Sequence, residues 1–153
     1  MHVRLTAAAA ACGLAVAVGA CQSLSSGPRV DSDAIAEAAG PGRTMIHGSA
    51  TYFEKMLMPI DSVLSVRLVD RDAAPDSKQA ILAEAAFSDI AGPPYAFVLP
   101  YDPDRLKDDG RYGITASLTT PQGETFFATA EPVPFEPGDP GKIEFRMMRL
   151  PTP

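Results

Sequence analysis

The 153-residue sequence contains no tryptophan, which weakens the case for a surface that stacks on sugars. Basic side chains are also scarce, since 13 Lys and Arg stand against 19 Asp and Glu, for a formal net charge of −6. Proteins that bind nucleic acid need clusters of Lys and Arg to displace counterions, so this balance argues against nucleic acid as a partner. It argues equally against a polybasic membrane-binding face and is consistent with solubility alone.

Motifs of catalysis are missing as well. The sequence has no G-x-S-x-G, no H-E-x-x-H, no phosphate-binding loop and no dinucleotide fingerprint. His47 is the only histidine outside the N-terminal segment, and no acidic residue lies near it at the spacing of a metal site or a triad. We therefore expect His47 to be a strand residue that faces solvent or packs at a rim. The sequence predicts neither an enzyme nor a cofactor.

The N-terminal segment is typical of an exported protein. His2 and Arg4 form a short positive region, and residues 7–20 carry no charge. This apolar run is shorter than the roughly 20 residues that a transmembrane helix needs, which favours a signal peptide that is removed. It ends in Val18-Gly19-Ala20-Cys21, which resembles the lipobox of bacterial lipoproteins.

This resemblance implies cleavage after residue 20 and attachment of lipid to Cys21. One alternative is a plain secretory signal with Cys21 as a bystander. A disulfide between Cys12 and Cys21 is disfavoured, because Cys12 lies in the segment to be removed. Stable anchoring needs two acyl chains or two signals, and lipoproteins of this kind resemble the multiply acylated case. Gln22, rather than Asp, favours the outer membrane, facing the periplasm, by resemblance to sorting in enteric bacteria.

Residues 21–43 are predicted to be a lipidated, flexible tether between the signal peptide, residues 1–20, and a domain at 44–150. Serine, glycine and proline are frequent in it, and Gly40-Pro41-Gly42 closes it. The stretch 31–39 could form only a short helix, which is marginal in water. Such a composition suits a spacer.

From Thr44 to Leu150 the dominant hydrophobic period is two residues, the period of a strand. Residues 132–141 hold four prolines and are predicted to be a loop. The third predicted strand has helical propensity but sits between two strands. The pattern predicts an all-β domain, an antiparallel β-sandwich of about seven strands with a small barrel as the alternative. The predicted strands occupy residues 44–53, 62–70, 79–87, 95–101, 111–120, 124–130 and 142–150.

Three groups of side chains each have a functional and a simpler interpretation. The single carboxylate cluster lacks the order of an EF-hand and is more simply explained by turn chemistry: Asp102, Asp104, Asp108 and Asp109. Four aromatic residues are interpreted as core rather than as a ligand platform: Tyr95, Phe97, Tyr101 and Tyr112. Four methionines could form an adaptable partner surface, although packing is the simpler interpretation: Met56, Met58, Met147 and Met148.

Three blocks of the domain resemble the YbaY/YscW family of lipoproteins. The first runs from His47-Gly48-Ser49-Ala50-Thr51-Tyr52 to Met58-Pro59-Ile60-Asp61 and the strand ending at Asp70, with Met58 and Ile60 departing from the family pattern. The second and most specific is Tyr95-Ala96-Phe97-Val98-Leu99-Pro100-Tyr101-Asp102-Pro103 followed by Arg111-Tyr112-Gly113-Ile114-Thr115-Ala116. The third, weaker block is Glu124-Thr125-Phe126-Phe127-Ala128-Thr129.

The resemblance implies a β-sandwich lipoprotein without catalytic residues. One branch of the family acts as a pilot or chaperone for outer-membrane secretins of type III secretion, and many members have no settled activity. We therefore expect a non-catalytic cell-envelope lipoprotein, a pilot- or chaperone-like module that binds an outer-membrane or secretion-system protein. The alternative is a periplasmic module that binds a small ligand or polysaccharide, or acts as an inhibitor.

Overall fold

The computed structural model describes residues 40–74, 77–139 and 141–151. Within these residues, nine strands form two sheets that face each other across one apolar core. One turn of 3₁₀ helix, Pro103–Arg105, is the only helical element in this part of the chain. The predicted β-sandwich is confirmed, with nine strands where about seven were expected. The described strands do not close into a barrel.

The smaller sheet has three strands in the order β4-β1-β8. Strand β1, Thr44–Thr51, lies in the centre, and β4, Tyr95–Tyr101, is antiparallel to it. Strand β8, Ile143–Arg146, runs parallel to the second half of β1. The parallel pair departs from the expected antiparallel arrangement. It forms because the chain crosses over from the larger sheet before β8 begins, as parallel strands require.

The larger sheet has the order β3-β2-β5-β6-β9, and β7 also pairs with β5. Every pair in this sheet is antiparallel. The third predicted strand forms β3 despite its helical propensity. Pairing with β2 outweighs the local propensity, which is a weak preference. The strands of this sheet are β2 (Val63–Asp70), β3 (Ile81–Phe87), β5 (Tyr112–Thr119), β6 (Thr125–Ala128), β7 (Val133–Phe135) and β9 (Met148–Arg149).

Two predictions for the C-terminal third were wrong in detail. The region predicted as a loop contains β7, because β6 is short and leaves the edge of β5 free to pair near Tyr112. The last predicted strand is divided at Met147, with β8 in the smaller sheet and β9 in the larger. Met147 is 1% exposed and its N–H donates to the Thr51 carbonyl, so a buried residue marks the crossing between sheets.

Alternation of side chains explains why the two sheets pack. In β2, Leu64, Val66 and Leu68 are fully buried, whereas Arg67 faces away and pairs with Glu84 at 2.8 Å on the outer surface. Successive residues of a strand point to opposite faces, so one period-two pattern supplies both the core and the solvated face. Strand β4, which follows Pro93 and Pro94 and contains Pro100, lies at an edge of its sheet, where proline is tolerated.

The sandwich has two ends, which we call the base and the top. The base is the end at which β1 begins with Thr44, and the top is the end at which it finishes with Thr51. Tyr101 and Phe135 make an edge-to-face contact at the base, with ring centroids 5.6 Å apart. The loops 52–62, 88–94 and 120–124 lie at the top, and the described loop residues 71–74, 77–80, 102–111, 136–139 and 141–142 lie at the base.

Replacing Gly48 with alanine should destabilise the sandwich. A Cβ at this position would lie 2.6 Å from the Ile143 carbonyl oxygen and would also overlap the Phe97 ring. Overpacking of this kind costs about 1–3 kcal/mol of unfolding free energy, measurable by urea denaturation. Gly92→Ala is the control, because its Cβ would make an ordinary 3.8 Å contact with Leu57. Equal stability of the two variants would contradict the packing described here.

Candidate functional site

The loop between β1 and β2 carries the three most exposed large apolar side chains in the described part of the chain. Phe53 and Leu57 are each 75% exposed, and Ile60 is 88% exposed. We call these three residues the apolar platform. Met148, 48% exposed, and Leu150, 39% exposed, add apolar surface along β9. Scattered exposed apolar residues are normal, but several on one short loop indicate an interaction site.

The platform loop is held at its first residue by Tyr52. The Tyr52 ring is 4% exposed and stacks on Phe127 of the larger sheet, with centroids 4.1 Å apart and planes inclined by 8°. Its hydroxyl donates to the Met56 carbonyl at 2.8 Å. The Tyr52 side chain thus contacts the facing sheet and also bonds to the middle of the loop, which fixes the start of the loop in place.

The far end of the loop is held by a turn. The Ser62 hydroxyl, on a side chain 1% exposed, donates to the Pro59 carbonyl at 2.7 Å, and the Ser62 N–H donates to the same carbonyl at 3.2 Å. Asp61 adopts a left-handed conformation with φ of 64°, which Asp tolerates better than most residues. Met56 and Met58 pack, half-buried, against the core beneath the platform.

A pair of tyrosine hydroxyls lies under the loop. The Tyr95 hydroxyl donates to the Tyr52 hydroxyl at 3.4 Å. Burial, and then this hydrogen bond, raise the pKa of Tyr95 above its usual range. The phenol therefore stays neutral at physiological pH, and no charge develops beneath the apolar surface.

Two arginines lie beside the platform. The Arg146 guanidinium carbon is 4.4 Å from the centre of the Phe53 ring, which is cation–π geometry. Arg149 places Nη1 3.8 Å from the Met56 sulfur. Neither arginine forms a salt bridge within the described residues. The platform therefore has a cationic rim on an otherwise acidic chain.

The energetic balance favours binding over chemistry at this site. Burying one large apolar side chain lowers the free energy by about 1.5–3 kcal/mol. The platform does not gain this free energy while it faces water. Because its loop is already fixed by hydrogen bonds and stacking, binding would lose less conformational entropy than ordering a free loop. In the part of the chain that is described, no three His, Cys, Asp or Glu side chains come together as a metal site.

His47, Asp102 and the four aromatic residues behave as their simpler interpretations predicted. His47 is exposed on the outer face of β1. The Asp102 carboxylate accepts from the Asp104 N–H at 3.1 Å and caps the 3₁₀ turn, so turn chemistry explains this part of the cluster. The four aromatics named from the sequence are all core, at 4% exposure or less.

The methionines divide between two roles. Met147 belongs to the core, Met56 and Met58 lie beneath the platform, and Met148 is exposed on β9. Phe53, Leu57 and Ile60 were not predicted as site residues from the sequence. The signal was present, since five of the eight residues from 53 to 60 are large and apolar in a segment between two strands. A search for periodicity passes over such a segment because it has no regular repeat.

The predicted signal peptide, Cys21 and the tether up to residue 39 lie outside the described residues. Among the residues that are described, no helix is long and apolar enough to cross a membrane. Lipid attachment at Cys21 stays a prediction.

A comparison with known protein families shows the family to which the chain belongs. A family described as the type III secretion system lipoprotein chaperone (YscW) matches residues 42–143, which is the greater part of the chain. The chain belongs to this family. No curated protein matches at a significant level.

One solved structure shares the fold of this family member. It is described as an alternative pilotin from the type II secretion system of Vibrio cholerae, with a TM-score of 0.63 and 23% sequence identity. The match covers 72% of this chain and 99% of that one. At this identity the likeness shows a common fold, and that fold spans the whole of the pilotin.

The hydroxyl of Tyr52 should matter for the order of the platform loop. Tyr52→Phe keeps the stack on Phe127 but removes the bond to Met56, at a cost of about 0.5–1.5 kcal/mol, together with the longer 3.4 Å bond from the Tyr95 hydroxyl. We expect trypsin to cleave after Lys55 about fivefold faster, the factor that corresponds to about 1 kcal/mol. The control is Tyr101→Phe, a buried tyrosine at the base. Unchanged cleavage after Lys55 in Tyr52→Phe would show that the loop is ordered without this bond.

Proposed function

We propose that this protein is a non-catalytic envelope lipoprotein, anchored by lipid on Cys21, that acts as a pilot for an outer-membrane secretion protein. The observation that carries the proposal is the apolar platform, which is exposed and yet held in one conformation. A pilot must recognise a partner through a surface that is ready before the partner arrives. An ordered apolar loop with a cationic rim meets that requirement.

The family supports this proposal, because its description names lipoprotein chaperones of a secretion system. The solved pilotin with the same fold belongs to a different secretion system, which is consistent with one sandwich serving several secretion machines. The partner proposed here is therefore a class, an outer-membrane protein of a secretion system, rather than one named protein.

The geometry of the domain also supports a protein partner over the membrane itself. The proposed tether joins the domain at the base, where β1 starts, and the platform lies at the top. The eight residues of β1 separate the two ends by about 23 Å, at roughly 3.3 Å per residue. A partner held at the top would face away from the anchored end.

Lipid attachment is tested by Cys21→Ser. Without the thiol no acyl chain can be attached, so incorporation of radiolabelled palmitate should fall to background, and unprocessed or soluble protein should accumulate. Cys12→Ser is the matched control and should label normally, since Cys12 lies in the segment predicted to be removed. Undiminished labelling of Cys21→Ser would refute the anchor.

The role of the platform is tested by Leu57→Glu and Ile60→Glu. Both side chains are exposed, so the stability should change by no more than about 0.5 kcal/mol. Capture of the partner by crosslinking in cells should fall at least tenfold, because a charge would be buried in the interface. The captured outer-membrane protein should then be mislocalised in cells. Ala86→Glu, an exposed site on β3, is the control and should behave as wild type.

Two results would count against this function. If Leu57→Glu and Ile60→Glu capture and place the partner normally, the platform is not the docking surface. If crosslinking recovers no outer-membrane protein while a defined glycan raises the melting temperature, the module binds a ligand, and the pilot role is wrong.

A further inference from the structure

The chain crosses from one sheet to the other next to the start of the platform loop. Strand β8 ends at Arg146 in the smaller sheet, and β9, which contains Arg149, belongs to the larger sheet. Met147 lies between these strands and is buried, and its N–H donates to the Thr51 carbonyl. Because Met147 is fixed in the core, the two arginines are held on either side of the crossing.

The two guanidinium groups reach the platform loop at different points. Arg146 is exposed at the end of β8, and its guanidinium carbon lies 4.4 Å from the centre of the Phe53 ring. Arg149 pairs across the strands with Phe127, so its side chain leaves β9 on the same side as that ring. There its Nη1 lies 3.8 Å from the Met56 sulfur. One arginine therefore lies at the start of the loop and the other at its middle.

The acidic residues of the top do not occupy these arginines. Four carboxylates lie on the three top loops: Glu54, Asp61, Asp89 and Glu124. Within the described residues, none of them forms a salt bridge with Arg146 or Arg149. On the outer face of the larger sheet, by contrast, Arg67 is paired with Glu84 at 2.8 Å. Both charges beside the platform are therefore open to carboxylates of another molecule.

The chemistry of the two side chains favours carboxylates as that counter-charge. A guanidinium presents its N–H donors in a planar fork that matches the two oxygens of a carboxylate. A partner without acidic groups would displace water from both guanidiniums and offer no counter-charge, which is unfavourable. Because the chain as a whole has a net charge of −6, an acidic partner is attracted only where such arginines lie, which restricts how it can dock.

We propose that the platform binds an acidic segment of its protein partner. Apolar side chains of this segment contact the platform, and its carboxylates pair with Arg146 and Arg149. The inference rests on the proposed function, because it names the chemistry of the partner that the same platform would capture. The two arginines are then the residues that select the partner, while the three apolar residues supply contact area.

Photocrosslinking from position 148 tests the chemistry of the segment with both arginines intact. Met148 lies between them in the chain and is 48% exposed, so a photoreactive phenylalanine analogue in its place contacts whatever binds beside them. The analogue is introduced into the full-length lipoprotein in cells, and the crosslinked peptide is sequenced by mass spectrometry. We expect a segment of an outer-membrane protein with Asp or Glu next to the crosslinked position.

Charge reversal tests the arginines themselves. Arg146→Glu and Arg149→Glu should each reduce the crosslinking yield about tenfold, because a like charge would face the carboxylates of the segment. Arg146→Gln should give an intermediate yield, since it removes the attraction without adding repulsion. Lys78→Glu is the control: it makes the same change of charge at an exposed position of the base, and its yield should equal that of the unaltered chain.

A charge swap provides the decisive measurement. Replacing the mapped acidic residues of the partner with lysine should reduce capture by the chain that retains both arginines. The same replacement should restore capture by the variant that carries Arg146→Glu and Arg149→Glu together. A merely structural role of the arginines would not be rescued by a change in the partner.

The outcomes separate this inference from the pilot role. If Leu57→Glu abolishes capture while the arginine variants capture normally, the pilot role stands and the acidic segment is wrong. A crosslinked protein segment without carboxylates would overturn the inference in the same way. Crosslinks to phospholipid in place of protein would show that the platform meets a membrane, and both proposals would fail. The same holds if no outer-membrane protein is captured by any form of the chain.

Discussion

The stack of Tyr52 on Phe127 is the contact on which the platform end of this protein depends. It joins the first residue of the platform loop to the core of the facing sheet, at a centroid distance of 4.1 Å. The same side chain donates to the Met56 carbonyl and accepts from Tyr95. An aromatic ring can do this because it buries a large apolar area while its hydroxyl keeps a polar partner. Without it, the loop that carries Phe53, Leu57 and Ile60 would be held only by the turn at Ser62 and by the packing of Met56 and Met58.

The inner and outer faces of the two sheets differ in the side chains that they carry. Their inner faces carry nearly all the large apolar side chains, and their outer faces are polar and include the Arg67–Glu84 pair. The platform is therefore an exception to the pattern of the rest of the domain. Family membership gives that exception a context, since a lipoprotein chaperone needs a surface that binds another protein. Conversely, the residues that first suggested chemistry, His47 and Asp102, are accounted for by exposure and by turn capping.

Periodicity in the sequence was sufficient for most of the strands and for the core. Leu64, Val66 and Leu68 alternate with polar residues, and Tyr95, Phe97 and Tyr101 recur at every second or fourth position of β4; each set is buried as expected. Periodicity was not sufficient at Met147, where a continuous apolar alternation conceals a change of sheet. It also passed over Val133–Phe135, because a proline-rich segment becomes a strand only when a free edge lies beside it. Pairing partners are distant in sequence, so local patterns do not contain them.

The sequence by itself determined the all-β class, the inward-facing residues and the acidic balance, because strand period and side-chain chemistry are local properties. Its N-terminal pattern also predicts an anchor at Cys21. Only the tertiary structure decided which of the five large apolar residues in one loop pack against the core and which are exposed to solvent. Met56 and Met58 pack downwards, while Phe53, Leu57 and Ile60 face water. That division depends on Tyr52 meeting Phe127, 75 positions further along the chain, and no local pattern encodes such a meeting.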